Sequence, residues 1–133
     1  PGAGSFAYAN GDAMTAYIFV APAPIEIVSV METHFNKASG GSNIKMVLQK
    51  NPASDHAGIL GNGQTLCSIY IGQATSTNQR FDRDDLDQRY NKLIEGDRLL
   101  IYPDGGIAGF NGMIIVISYI YSNQGSYRYI EPA

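Results

Sequence analysis

Leu93-Ile94-Glu95-Gly96-Asp97-Arg98-Leu99-Leu100-Ile101-Tyr102-Pro103, then Asp104-Gly105-Gly106-Ile107-Ala108-Gly109-Phe110-Asn111-Gly112, then Met113-Ile114-Ile115-Val116-Ile117-Ser118-Tyr119-Ile120-Tyr121 is the stretch that decides the architecture. Gly96-Asp97 is a turn signal, and the apolar, β-branched and aromatic residues after it favour a strand. The segment from Asp104 to Gly112 holds four glycines and reverses the chain. The strand that follows is long and apolar at both odd and even positions, so both of its faces need cover. One face fits the core of a sandwich. The other predicts a subunit interface or a covering segment of the chain's own arm or tail.

Working outward, the rest of the chain has the same rhythm of short β-rich runs punctuated by Gly, Pro and Asn. Residues 13–20 read as a strand stopped by Pro22 and Pro24. Residues 25–34 read as another, in which Ile25 and Ile27 alternate with Glu26 until Val28 and Val30 shift the apolar phase around Ser29, as a β-bulge does. Ile44, Met46 and Leu48 face one way and Lys45 and Gln49 the other, a half-buried strand. Residues 51–63 form a loop in which Gly61-Asn62-Gly63 supply positive-φ positions, and residues 65–71 form a further strand. The polar stretch 73–91 admits a short helix or turn across 82–91, from the spacing of Phe81, Leu86, Tyr90 and Leu93. Six or more strands with no alternating β–α pattern predict an all-β, antiparallel, jelly-roll-like β-sandwich; an immunoglobulin-like sandwich and a small barrel are the alternatives.

The 133 residues fit one domain, with an extended, flexible N-terminal arm at 1–12, the sandwich at 13–121 and a tyrosine-containing tail at 122–133. Charged residues make up only 16%, so uncharged groups cover part of the surface and packing against other subunits is expected. The net charge of −3, with nine scattered Lys and Arg residues, gives no basic footprint for nucleic acid. No apolar run approaches membrane-spanning length and no charged segment precedes an apolar one at the start, so neither a membrane nor a cleaved signal peptide is expected. The single cysteine, Cys67, excludes an internal disulfide and reads as a small buried hydrophobe.

Catalytic chemistry has no recognisable pattern. His34 and His56 lie in no metal or nucleophile motif, and a triad with Ser54 or Ser68 has nothing in the sequence to support it. Gly58, Gly61 and Gly63 precede no Lys-Ser/Thr pair, so they serve turns rather than a phosphate. The acidic run Asp82-Arg83-Asp84-Asp85-Leu86-Asp87 has the oxygen ligands calcium uses. It lacks the Gly at its sixth position and the Glu at its twelfth, where Asp87 and Leu93 stand, and Arg80, Arg83 and Arg89 supply counter-charges for a salt-bridged turn. No enzyme activity, metal or cofactor is expected.

Binding chemistry rests on aromatics. Phe6 and Tyr8 in the arm are candidate anchors on a partner. Tyr119, Tyr121, Tyr127 and Tyr129 are candidate oligomer-interface residues, with a sugar platform or a half-polar strand edge as alternatives.

The strand order across 13–20, 25–33 and 44–48 with its Lys50-Asn51-Pro52 exit, then 58–71, the Gly96-Asp97-Arg98 turn and 109–116 resembles small jelly-roll proteins of tailed bacteriophages that decorate or cement the capsid, commonly as trimers. The resemblance implies a structural virion protein on the capsid surface, made in the host cytoplasm, that bridges subunits of the major capsid protein and forms a homo-oligomer. A tail-fibre or lectin-like module binding a glycan or host receptor is the alternative.

Overall fold

The computed structural model describes residues 3–12, 15–41, 43–55, 60–73 and 75–122. Among these residues nine strands follow one another: β1 (Ala3–Asp12), β2 (Ala16–Val20), β3 (Ile25–Thr33), β4 (Lys45–Asn51), β5 (Thr65–Tyr70), β6 (Asn78–Asp82), β7 (Lys92–Leu93), β8 (Arg98–Asp104) and β9 (Asn111–Tyr121). A single 3-10 turn, Arg83–Asp85, separates β6 from β7. Sheet I has the order β1-β9-β3-β6, with β7 sharing the β6 side of β3, and sheet II has the order β2-β8-β4-β5. Every pairing is antiparallel. Apart from the β4–β5 hairpin and the β6–β7 step, each connection crosses from one sheet to the other. Strands remote in sequence therefore become neighbours, which is the jelly-roll arrangement of two Greek keys.

The period-two pattern explains the layers. On β9, Met113, Ile115 and Ile117 turn inward and are at most 1% exposed. They meet Ile25, Ile27 and Val30 of β3 and, across the sandwich, Met46, Leu48, Leu99 and Ile101 of sheet II. Burying each such side chain contributes about 1.5–3 kcal/mol. The phase change around Ser29 is a bulge: the β3–β9 register shifts between Ile27 and Ser29. Gly96 takes φ +89°, which suits the tight turn that launches β8.

Three segments differ from expectation. The extended arm is paired rather than free: residues 3–12 run antiparallel to β9, with Phe6 opposite Ile117 and Tyr8 opposite Ile115. Gly4 lies opposite Tyr119, where a Cβ would come within 2.6 Å of the tyrosine ring, so only glycine lets β1 approach this closely. The polar stretch contains β6, and its helical spacing yields only the one 3-10 turn. β4 is buried on both faces: Val47 and Gln49 are as enclosed as Met46 and Leu48, because the loop that follows folds back over them.

Candidate interaction surface

The charged and nucleophilic groups of this chain are mostly spent on structure. Asp97, 3% exposed, accepts hydrogen bonds from Ala53 N (2.9 Å) and Ile94 N (3.0 Å) and pairs with Lys50 at 3.6 Å. Arg98 lies over the Tyr17 ring at 4.5 Å and donates to the carbonyls of Pro52 and Asp55. The Gly96-Asp97-Arg98 turn therefore ties β8 to the loop after β4. The acidic run is salt-bridged: Arg80 to Asp82 at 2.8 Å, Arg83 to Glu26 at 2.9 Å and Arg89 to Asp87 at 2.7 Å. The Arg89 guanidinium holds the Asp87 carboxyl below its ordinary range. Among the described residues no three His, Cys, Asp or Glu side chains converge on one point. Burial pushes the Cys67 thiol up to about 12, which leaves it protonated and unreactive.

His34 continues the inward row of Val30 and Glu32. Its Nδ1 lies 2.8 Å from Glu32 Oε2, and its ring packs on Phe110 with centroids 5.0 Å apart. Both side chains are fully buried, and among the described residues Glu32 Oε1 and His34 Nε2 have no hydrogen-bond partner. Burial pushes Glu32 up to about 8; burial first, then the charge of Lys37, pushes His34 down. The pair shares one proton inside the core. His56 lies outside the described residues, as do Gly58, Tyr127 and Tyr129.

Tyr119 and Tyr121 belong to the inward row of β9. Tyr119 packs on Phe19 at 5.6 Å and on Tyr121 edge-on at 5.7 Å, closing one end of the core. The hydrogen bond with Tyr121, more than burial, raises the Tyr119 hydroxyl above its ordinary range. Phe6 and Tyr8 hold register positions opposite core-facing residues of β9.

What remains is the outer face of sheet I. Ile114 and Val116 of β9, Met31 and Thr33 of β3, and Asn78 and Arg80 of β6 line a groove of about 360 Å³. Ile114 is 42% exposed, and Phe35, 81% exposed, stands at the end of the same face. Phe35 lies against Gly112, whose φ of +74° and whose closeness (a Cβ there would sit 2.8 Å from Phe35 Cβ) leave no room for another residue. Arg80 forms the polar rim, donating from Nη1 to Met31 Sδ at 3.4 Å while its Nε is held by Asp82. An apolar floor with one charged wall has the composition of surfaces that dock a partner. The two-faced character of β9 pointed to it; Phe35, isolated in sequence after His34, gave no signal.

This fold recurs in solved structures. A chain in the capsid of Ralstonia phage GP4 is similar with a TM-score of 0.53 and 17% identity, over 90% of this chain and 83% of that one. A chain of the cyanophage Pam1 capsid asymmetric unit gives a TM-score of 0.49 and 11% identity over 91% and 83%. A chain of Bacillus endospore appendages, disulfide-linked pili, gives 0.38 and 14% over 90% and 88%. No protein-family model and no curated protein matches the sequence. At these identities the likeness is one of fold: the chain is a jelly-roll sandwich of the kind found in a phage capsid.

Proposed function

We propose that this chain is a structural protein of a phage virion that decorates the shell and bridges subunits of the major capsid protein, docking through the outer face of sheet I. The observation that carries the proposal is the apolar outer face of exposed Phe35 and Ile114 and half-buried Val116 and Met31, on a jelly roll shared with a chain of a phage capsid. A monomeric protein has no use for such a face, and a shell surface that excludes water from it gains the hydrophobic term. The anchoring role expected of Phe6 and Tyr8 passes in this proposal to Phe35 and Ile114, because the arm is already engaged with β9. The chemistry needs no cofactor, and rigidity is what a bridge between subunits requires.

The test is co-sedimentation of the purified protein with shells assembled from the major capsid protein of the virus that encodes it. Saturable binding at a fixed ratio to shell subunits is expected. A protein that stays in the supernatant at every concentration but is retained by an immobilised glycan would replace capsid decoration with a receptor-binding role.

A further inference from the structure

An edge strand carries unpaired N–H and C=O groups along one side, and β proteins protect such edges with short strands, charges, prolines or bulges. Three of the four sheet edges here are protected. β6 has five residues, carries Arg80 and Asp82, and ends in the 3-10 turn. β2 has five residues, a register shift between Tyr17 and Phe19, and Pro22 and Pro24 just beyond it. β5 has six residues, and its register with β4 shifts between Leu48 and Gln49.

β1 has none of these devices. It runs ten residues, keeps an unbroken register with β9 from Ala3 to Asn10, and contains no proline, lysine or arginine; its single charge, Asp12, stands at its end. Among the described residues no strand pairs with its other side.

We infer that the free edge of β1 pairs antiparallel with the same edge of a second copy, so that sheet I continues across a two-fold axis as β6-β3-β9-β1-β1-β9-β3-β6. An antiparallel pair of identical strands is self-complementary, satisfies both edges at once and closes at two copies. With the axis near Ala7, the two Asp12 residues stand at opposite ends of the pair, about 33 Å apart at 3.3 Å per residue, so no like charges meet. A bare backbone edge has no pockets with which to select a foreign strand. A second copy matches its length and neutrality without them.

The axis is perpendicular to the sheet, so the outer faces of both copies point the same way and the two apolar grooves lie side by side. A dimer then presents two docking faces to one shell, which is what bridging requires. The pairing stands on the edge alone; its use in bridging rests on the function proposed above. Closure at two differs from the trimer that the phage resemblance implies.

Two measurements test the pairing, and neither uses shells. Light scattering of the whole chain should give twice the chain mass, and Ala7→Lys, which sets two lysines together at the axis, should lower it to the chain mass. In the unsubstituted protein, hydrogen exchange along residues 3–12 should show slow alternate amides bonded to β9 and, at concentrations where the dimer forms, slowing of the intervening amides by at least tenfold as well. A chain that stays monomeric throughout overturns the inference. So does a trimer, or any oligomer in which the intervening amides keep exchanging fast. The exchange pattern decides even if Ala7→Lys fails to fold. An Ala7→Lys monomer that still sediments with shells would uphold both the pairing and shell binding and remove only the bridge.

Discussion

The two outer faces of the sandwich start from similar strands and end in opposite states. On sheet II, Val47, Gln49, Leu100 and Asn51 are all at most 4% exposed, and Asp55, Gly61 and Asn62 of the segments that leave β4 and enter β5 bond to this face. On sheet I, Ile114 and Phe35 stand in solvent. The side chains beneath explain the difference. A loop brings its own N–H and C=O groups, which must be bonded once buried. Sheet II supplies the partners: Gly61 N donates to Gln49 Oε1 at 2.9 Å, Asn62 Nδ2 to Lys50 O at 2.9 Å, and Asn51 Nδ2 reaches Asp55 Oδ2 at 3.3 Å. The floor of the matching surface of sheet I is isoleucine, valine and methionine, which offer a polar backbone nothing, with Thr33, Asn78 and Arg80 around it. A face that is closed by its own loop carries buried amides, while a face with an apolar floor is left for apolar side chains from outside.

The comparison breaks most severely at Asp97, where the loop is pinned. Asp97→Ala leaves Ala53 N and Ile94 N without an acceptor and Lys50 without its ion-pair partner. Breaking a buried pair of this kind costs about 3–5 kcal/mol, and urea denaturation should show the midpoint falling accordingly. A loss under about 1 kcal/mol would mean that the loop covers sheet II without needing the Asp97 turn.

A second prediction concerns the inner side of sheet I, beneath the groove. The unfolded chain ionises Glu32 near 4.5 and loses the His34 proton near 6.5, whereas the fold keeps a proton on Glu32 up to about 8 and keeps His34 neutral. Between about pH 4.5 and 6.5 the two groups oppose each other, because the raised Glu32 costs stability as pH rises and the lowered His34 costs it as pH falls, so the slope there is shallower than above 6.5. From 6.5 to about 8 only the fold holds a proton, so stability falls as pH rises, by at most about 1.4 kcal/mol per pH unit. Melting temperature against pH should show the falling limb above 6.5, and Glu32→Gln should flatten it. An unchanged limb in that variant would show that water reaches the pair and that sheet I is not sealed on its inner side.

How far sequence reaches depends on whether the cause is local. The turn at Gly96, the bulge near Ser29 and the two apolar faces of β9 are written in adjacent residues and are found in the structure as read. Burial of Gln49 is not, because its cover arrives from residues 60–62. β6 hides because an edge strand with Asn78, Arg80 and Asp82 exposed looks like a loop. The pairing of β1 was illegible because alanines and serine alternate with Gly4, Phe6 and Tyr8, and small residues register neither as apolar nor as polar; the step of two between Phe6 and Tyr8 was the signal available. Glu32 and His34 share the inward parity of Val30, yet polar residues at core positions interrupt the very pattern used to find a core. That Tyr119 and Tyr121, candidate interface residues in the sequence, pack in part against the core follows from the parity they share with Ile115 and Ile117, which their nearness to the tail tyrosines does not reveal.

The smallest effect on stability is expected where the surface is proposed to work. Ile114 is 42% exposed in the isolated chain, so Ile114→Lys removes little buried area and leaves a charge that can reach water. Its unfolding free energy should stay within about 0.5 kcal/mol of the unsubstituted protein, as for ordinary surface positions. Binding to shells should respond quite differently, because docking would bury that ammonium in an apolar contact beside Arg80, a like charge already held at the rim. A loss of tenfold or more in affinity with an unchanged melt would separate the two outer faces by function, one needed for folding and one for assembly. Full shell binding by Ile114→Lys would move the docking site off sheet I and leave its exposed face unexplained.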